Sequence, residues 1–66
     1  MAIGMKIVRL RDVMQRTGLS RSTIYARLRD GEFPSAIRLG PRAVGWLECE
    51  IEDWIEARID ETRRQR

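Results

Sequence analysis

The feature that most constrains this chain is the three-residue connection Gly18–Leu19–Ser20, which separates two segments with helical periodicity. Before it, Arg11–Thr17 repeats its apolar positions at the spacing of one helix face. Glycine favours the left-handed backbone that ends a helix, and serine is a preferred N-cap for the next one. After it, the segment from Ser20 to about Asp30 turns Ile24 and Leu28 inward. So short a glycine-containing connection between two helices is typical of a helix-turn-helix.

The remaining segments predict a small sheet and a third helix. Met5–Leu10 is β-prone and short, and Phe33–Pro34 breaks any helix. A hairpin is predicted from residues 36–39 and 43–46 around a Gly40–Arg42 turn, and a last helix from residues 48–61. The predicted fold class is mainly α with a small β-hairpin, in the order of a winged helix-turn-helix. Its core is expected to contain the aromatic side chains Phe33, Trp46 and Trp54.

The domain organisation follows from the length of 66 residues, which suits a single domain. We expect that domain to span residues 5–61. Residues 1–4 are predicted to be a flexible N-terminus, and residues 62–66 a flexible basic tail.

Composition argues against several classes of protein. One cysteine, Cys49, and no histidine leave no intramolecular disulfide, no metal site and no evident cofactor site. Carboxylate pairs such as Glu52 and Glu56 fall on a solvated helix without a cleft, so no catalytic residue and no enzyme are predicted. No apolar run resembles a membrane span or a signal peptide, and the expected location is the cytoplasm, on the nucleoid.

The charges divide along the chain. Residues 1–47 contain nine Lys or Arg against three acids, whereas residues 48–61 contain seven acids and one Arg. A basic body with an acidic side is the electrostatic pattern of a nucleic-acid-binding protein.

The outer side of the second helix contains the groups that would contact DNA. Arg21, at the exposed helix start, is predicted to bind a guanine edge, and Ser22 and Thr23 to contact phosphate. Each residue also has a plainer interpretation, since Thr23 can serve the helix cap and Tyr25 can pack its ring on the domain. The predicted DNA-binding residues are Arg21, Ser22, Thr23, Tyr25, Arg27 and Arg29 on the helix, and Arg38 and Arg42 on the hairpin.

Several motifs together resemble the AlpA family of phage and prophage regulators. They are Leu10–Val13, Thr17–Tyr25, Gly31–Pro34, Ile37–Gly40, Val44–Trp46 and Glu50–Arg58. The resemblance implies a MerR- and excisionase-like winged helix, with recognition helix 20–29 and wing 37–46. It also implies regulation of genes on mobile elements.

Three functions remain open at this point. The first is sequence-specific binding of double-stranded DNA, with RNA polymerase as a further partner. The second is an excisionase-like architectural factor that bends DNA and contacts an integrase. Both accommodate dimers or tandem copies on DNA. The third is a protein-interaction module that uses the acidic helix 48–61, although barely two heptads argue against a dimerisation coiled coil.

Overall fold

A computed structural model describes residues 5–64 of the chain. The protein is mainly helical with a small antiparallel three-stranded sheet, and the predicted order of elements is observed. The elements are β1 (Ile7–Val8), α1 (Leu10–Thr17), α2 (Arg21–Arg29), β2 (Ile37–Gly40), β3 (Ala43–Leu47) and α3 (Glu48–Arg64). This arrangement is compatible with a small helix-turn-helix-like fold.

The sheet has β3 at its centre, in the order β1-β3-β2. The predicted hairpin is β2–β3, with Ile37 opposite Gly45. β1 adds to the other edge of β3, and Val8 lies opposite Trp46. The Glu48 amide donates a hydrogen bond to the Lys6 carbonyl at 2.7 Å, which ties the start of α3 to the same edge. The sheet therefore connects the N-terminal strand to both the hairpin and the last helix.

The core lies between one face of this sheet and the three helices. Its buried members are Val8, Val13, Ile24, Phe33, Trp46 and Ile51. The predicted burial of Phe33 and Trp46 is confirmed, and the Trp46 indole N–H donates to the Pro34 carbonyl at 2.9 Å. Trp54 is half-buried at the core's edge, where it packs edge-on against Phe33 and donates to the Glu32 carbonyl.

The end of α3 corrects one prediction. The helix runs to Arg64, so residues 62–64 are helical rather than part of a flexible tail. Arg63 and Arg64 occupy the last turn, where the negative end of the helix dipole favours cations, and Arg58 pairs with Glu61 at 2.9 Å. The rest of the predicted flexible termini, residues 1–4 and 65–66, lies outside the described residues. Among the described residues, none of the three helices has the length and hydrophobicity that a bilayer span requires.

Candidate nucleic-acid interface

The turn between α1 and α2 has the geometry that its sequence predicts. Gly18 ends α1 with a φ of 74°, in the left-handed region that glycine adopts without steric cost. The Thr17 hydroxyl donates to the Val13 carbonyl at 2.8 Å and accepts from the Leu19 amide at 3.2 Å. Leu19 then packs against the core. The turn is thus held by hydrogen bonds on one side and by an apolar anchor on the other, which fixes the direction of α2.

Ser20 is the N-cap of α2, as predicted. Its hydroxyl accepts a hydrogen bond from the Thr23 amide at 3.2 Å. The Thr23 hydroxyl lies only 2.9 Å from the Ser20 hydroxyl, and Thr23 is half-buried. The side chain of Thr23 is therefore engaged by the cap, while the Ser22 side chain next to it is exposed.

Four of the predicted residues share one side of α2, which we call the outward face: Arg21, Ser22, Tyr25 and Arg29. All four are exposed, and Tyr25 leaves 47% of its surface accessible. Ile24 is fully buried on the opposite side. Within residues 5–64, Arg21 takes part in no salt bridge, and Arg29 has only an exposed contact with Asp30 at 3.9 Å. The outward face thus presents two guanidinium groups and two hydroxyls to solvent.

Arg27 lies on the other side of α2. Its guanidinium carbon is 5.8 Å from the centre of the Trp54 ring, and its Nη1 lies 3.9 Å from a Glu32 carboxylate oxygen. Its buried Nε has no hydrogen-bond partner among the described residues. At about 100° per residue, Arg27 falls ~120° around the helix from Arg21. The structure therefore separates Arg27 from the outward face and places it between α2 and α3.

The hairpin presents the two arginines predicted for it. Pro41 and Arg42 form the turn between β2 and β3, and Arg38 lies on the exposed edge strand. The register shifts between Arg38 and Gly40, so that Leu39 forms a bulge and remains 46% exposed. In the part of the chain that the structure describes, neither arginine is engaged in a salt bridge.

Arg11 is a further candidate, which the sequence did not place among the predicted DNA-binding residues. It is exposed on α1 and lines an open groove with Gln15, Gly18 and Ser20. The groove lies beside the start of α2. The spacing of Arg11, Gln15 and Gly18, i, i+4 and i+7, was the available signal, because it places all three on the side of α1 that reaches the turn.

The acidic side of the molecule neutralises a different set of cations. Arg16 reaches Glu48 at 2.8 Å and Glu52 at 3.9 Å, and Lys6 lies 3.9 Å from Glu48. These contacts join α1 and the N-terminal strand to α3. Ahead of α3, the cations that form no salt bridge among residues 5–64 are Arg9, Arg11, Arg21, Arg38 and Arg42.

The described residues contain no group of three or more Cys, Asp or Glu side chains placed to hold a metal ion. Cys49 is exposed at the start of α3.

Comparison with known proteins identifies the family. Residues 6–59 match the family model described as the prophage CP4-57 regulatory protein AlpA. The chain belongs to the AlpA family. This confirms the resemblance stated from the sequence motifs, and the matched region covers all of the elements except the end of α3.

Two relatives of known sequence extend the comparison. Over 59 residues, the chain is 44% identical to the uncharacterized protein ORF88 of Enterobacteria phage P4, covering 89% of this chain and 67% of the relative. Over 59 residues it is also 42% identical to the DNA-binding transcriptional activator AlpA of Escherichia coli K12, covering 80% of this chain and 84% of the relative.

Proposed function

We propose that this AlpA-family chain is a sequence-specific DNA-binding regulator of phage or mobile-element genes, without enzymatic activity. The observation that carries the proposal is the outward face of α2, which follows a tight turn and holds at its start an exposed Arg21 that forms no salt bridge within residues 5–64. The E. coli relative described as a DNA-binding transcriptional activator supports the same role.

The dimensions of α2 suit a major groove. Nine residues at 1.5 Å each make a helix about 14 Å long, and the major groove of B-DNA is about 12 Å wide. With the N-terminal end of α2 against the base edges, Arg21 can donate two parallel hydrogen bonds to a guanine. Tyr25 and Arg29 lie one and two turns further along the same face and would contact bases or the flanking backbone.

The phosphate backbone would be contacted on both sides of α2. Arg11 and the start of α2, with Ser22, form one positive region, and the helix N-terminus adds its own attraction for phosphate. The β2–β3 hairpin would act as the wing of a winged helix-turn-helix, with Arg38 and Arg42 on the backbone or in the minor groove. In this proposal Thr23 and Arg27 do not contact DNA but stabilise α2, Thr23 through the N-cap and Arg27 through its contact with Trp54.

The experiment that tests this proposal is a selection of bound sequences from random duplex DNA, performed with the natural protein and with Arg21→Ala. We expect an enriched motif that loses preference at one base position in the variant, with a cost of about 1–3 kcal/mol on the selected site. Arg58→Ala is the matched control, because Arg58 lies on α3 beside Trp54 and should leave the motif unchanged.

Three other outcomes would redirect the assignment. A uniform loss over all sequences with Arg21→Ala would make Arg21 a phosphate contact rather than a base contact. Strong bending of selected direct repeats would indicate an architectural, excisionase-like role. Failure to bind any duplex at low salt would contradict the proposal as a whole.

A further inference from the structure

The C-terminal half of α3 has no packing partner among residues 5–64. Every residue from 56 to 64 is exposed, whereas Ile51 and Ile55 earlier in the helix contact the core. Ile59 continues their stripe by one more turn and leaves 41% of its surface accessible. A β-branched apolar side chain in this mostly charged helix end is therefore left largely uncovered by the described residues.

The residues around Ile59 form a face with ordered charges, which we call the helix-end face: Ile55, Glu56, Ile59 and Arg63. Ile55, Ile59 and Arg63 are spaced i, i+4 and i+8, and Glu56 lies beside them. Ile59 and Arg63 also line a shallow groove with Arg58 and Thr62. In the described region Arg63 forms no salt bridge. Along this face the acid, Glu56, therefore precedes Ile59, and the base, Arg63, follows it.

We propose that the helix-end face binds a second copy of this chain in antiparallel orientation. A twofold axis through Ile59 would place this side chain against Ile59 of the second copy and cover the exposed part of Ile55. The same axis would bring Glu56 beside the second copy's Arg63, and Arg63 beside the second copy's Glu56. Antiparallel helices also align their dipoles favourably. A wholly basic partner would repel Arg63, and a wholly acidic partner would repel Glu56. A second copy in antiparallel orientation presents its charges in the reverse order and therefore fits best.

The geometry limits the strength of this contact. The overlap of two such helices from about residue 54 to residue 64 extends over ~16 Å, which gives an interface well below the size of a stable dimer. Self-association should therefore be weak and dependent on concentration. It needs no DNA and is independent of the proposed function, so the two proposals can fail separately.

Sedimentation equilibrium without DNA, from about 10 µM to 1 mM protein, tests the proposal. We expect the weight-average mass to rise from the monomer's 7.7 kDa towards twice that value. Ile59→Glu should weaken association at least about tenfold, because it places two carboxylates at the centre of the contact. Asp53→Lys is the control on another side of α3, and it should leave association nearly unchanged.

Charge reversals test the orientation. Glu56→Arg alone and Arg63→Glu alone should each weaken association, because each places two like charges opposite each other across the twofold axis. The double variant Glu56→Arg/Arg63→Glu should restore it, because the pairing is exchanged rather than lost. Circular dichroism of each variant verifies that α3 still forms.

The proposal is overturned if the natural protein stays monomeric at 1 mM. It is also overturned if association persists unchanged in Ile59→Glu, which would locate the contact elsewhere. Weakening by both single reversals without recovery in the double variant would refute the antiparallel pairing.

Discussion

Gly45, at the centre of the sheet, leaves no room for a side chain. A Cβ placed there would lie 2.5 Å from Ile7 Cγ2, 3.0 Å from the Val8 carbonyl oxygen and 3.2 Å from Leu39 Cδ1. Ile7 belongs to β1 and Leu39 to β2, so both neighbouring strands close over the same position. Its missing side chain allows three strands as short as these to pack side by side.

We therefore expect Gly45→Ala to destabilise the protein by about 1–3 kcal/mol, because β1 or its side chains must shift to admit the methyl group. Urea unfolding followed by tryptophan fluorescence measures the change. Gly40→Ala is the matched control in β2, where the nearest atom to a new Cβ is 4.0 Å away, and its effect should be much smaller. Equal effects of the two substitutions would contradict this account of the sheet.

At the scale of elements, α2 is positioned by contacts at its ends and on its inner side. The Ser20 cap starts it, Ile24 anchors it in the core, and Arg27 joins it to Trp54. The guanidinium carbons of Arg27 and Arg58 lie 5.8 and 5.6 Å from the centre of the Trp54 ring. None of these contacts uses the outward face, which leaves that face available to a ligand.

Removal of the cap should loosen the start of α2 without changing the groups that are presented to DNA. Ser20→Ala is expected to cost about 1 kcal/mol of stability, and Ser20→Asp to retain most of it, because aspartate also caps. Thermal unfolding measures both. Ser22→Ala, which removes an exposed hydroxyl at the same helix start, should have little effect on stability. A Ser20→Ala protein as stable as the natural one would show that the cap contributes nothing here.

At the scale of the whole molecule, the basic side chains differ in whether they form salt bridges as well as in where they lie. Lys6 and Arg16 are used within the domain, on Glu48 and Glu52. Ahead of α3, the arginines that form no salt bridge among residues 5–64 are Arg11 on α1, Arg21 on α2, Arg38 and Arg42 on the hairpin, and Arg9 just before α1, so the proposed DNA surface keeps its charge. Binding through such a surface releases counterions from the phosphates and should depend strongly on salt.

If about four to six phosphates are neutralised, the logarithm of DNA affinity should fall against the logarithm of salt concentration with a slope of roughly −4 to −5. Fluorescence anisotropy with a labelled duplex at several salt concentrations measures this slope. Arg42→Gln should reduce its magnitude by about 1, whereas Arg58→Gln on α3 should not. A slope near zero would argue against phosphate contacts.

Local chemistry was enough to predict most of the elements. Gly18 and Ser20 act through their own backbone and the first turn of the adjoining helix, so their roles as stop and cap could be read from neighbouring residues. The apolar spacing of Ile24 and Leu28 likewise predicted which side of α2 faces the core. The outward position of Arg21, Ser22, Tyr25 and Arg29 follows from the same periodicity.

Contacts between distant segments were beyond this reasoning. The pairing of β1 with β3 and the Arg16–Glu48 salt bridge join residues more than thirty positions apart in the sequence. The local sequence of each segment does not indicate which distant segment it contacts. Arg27 was predicted to contact DNA, and its contact with Trp54 depends on how α2 packs against α3, which the local sequence does not determine. Periodicity predicts which side of a helix or strand is apolar, but the packing of the elements determines which residues that side contacts. For this reason the groove beside Arg11 and the uncovered Ile59 emerged only from the tertiary structure.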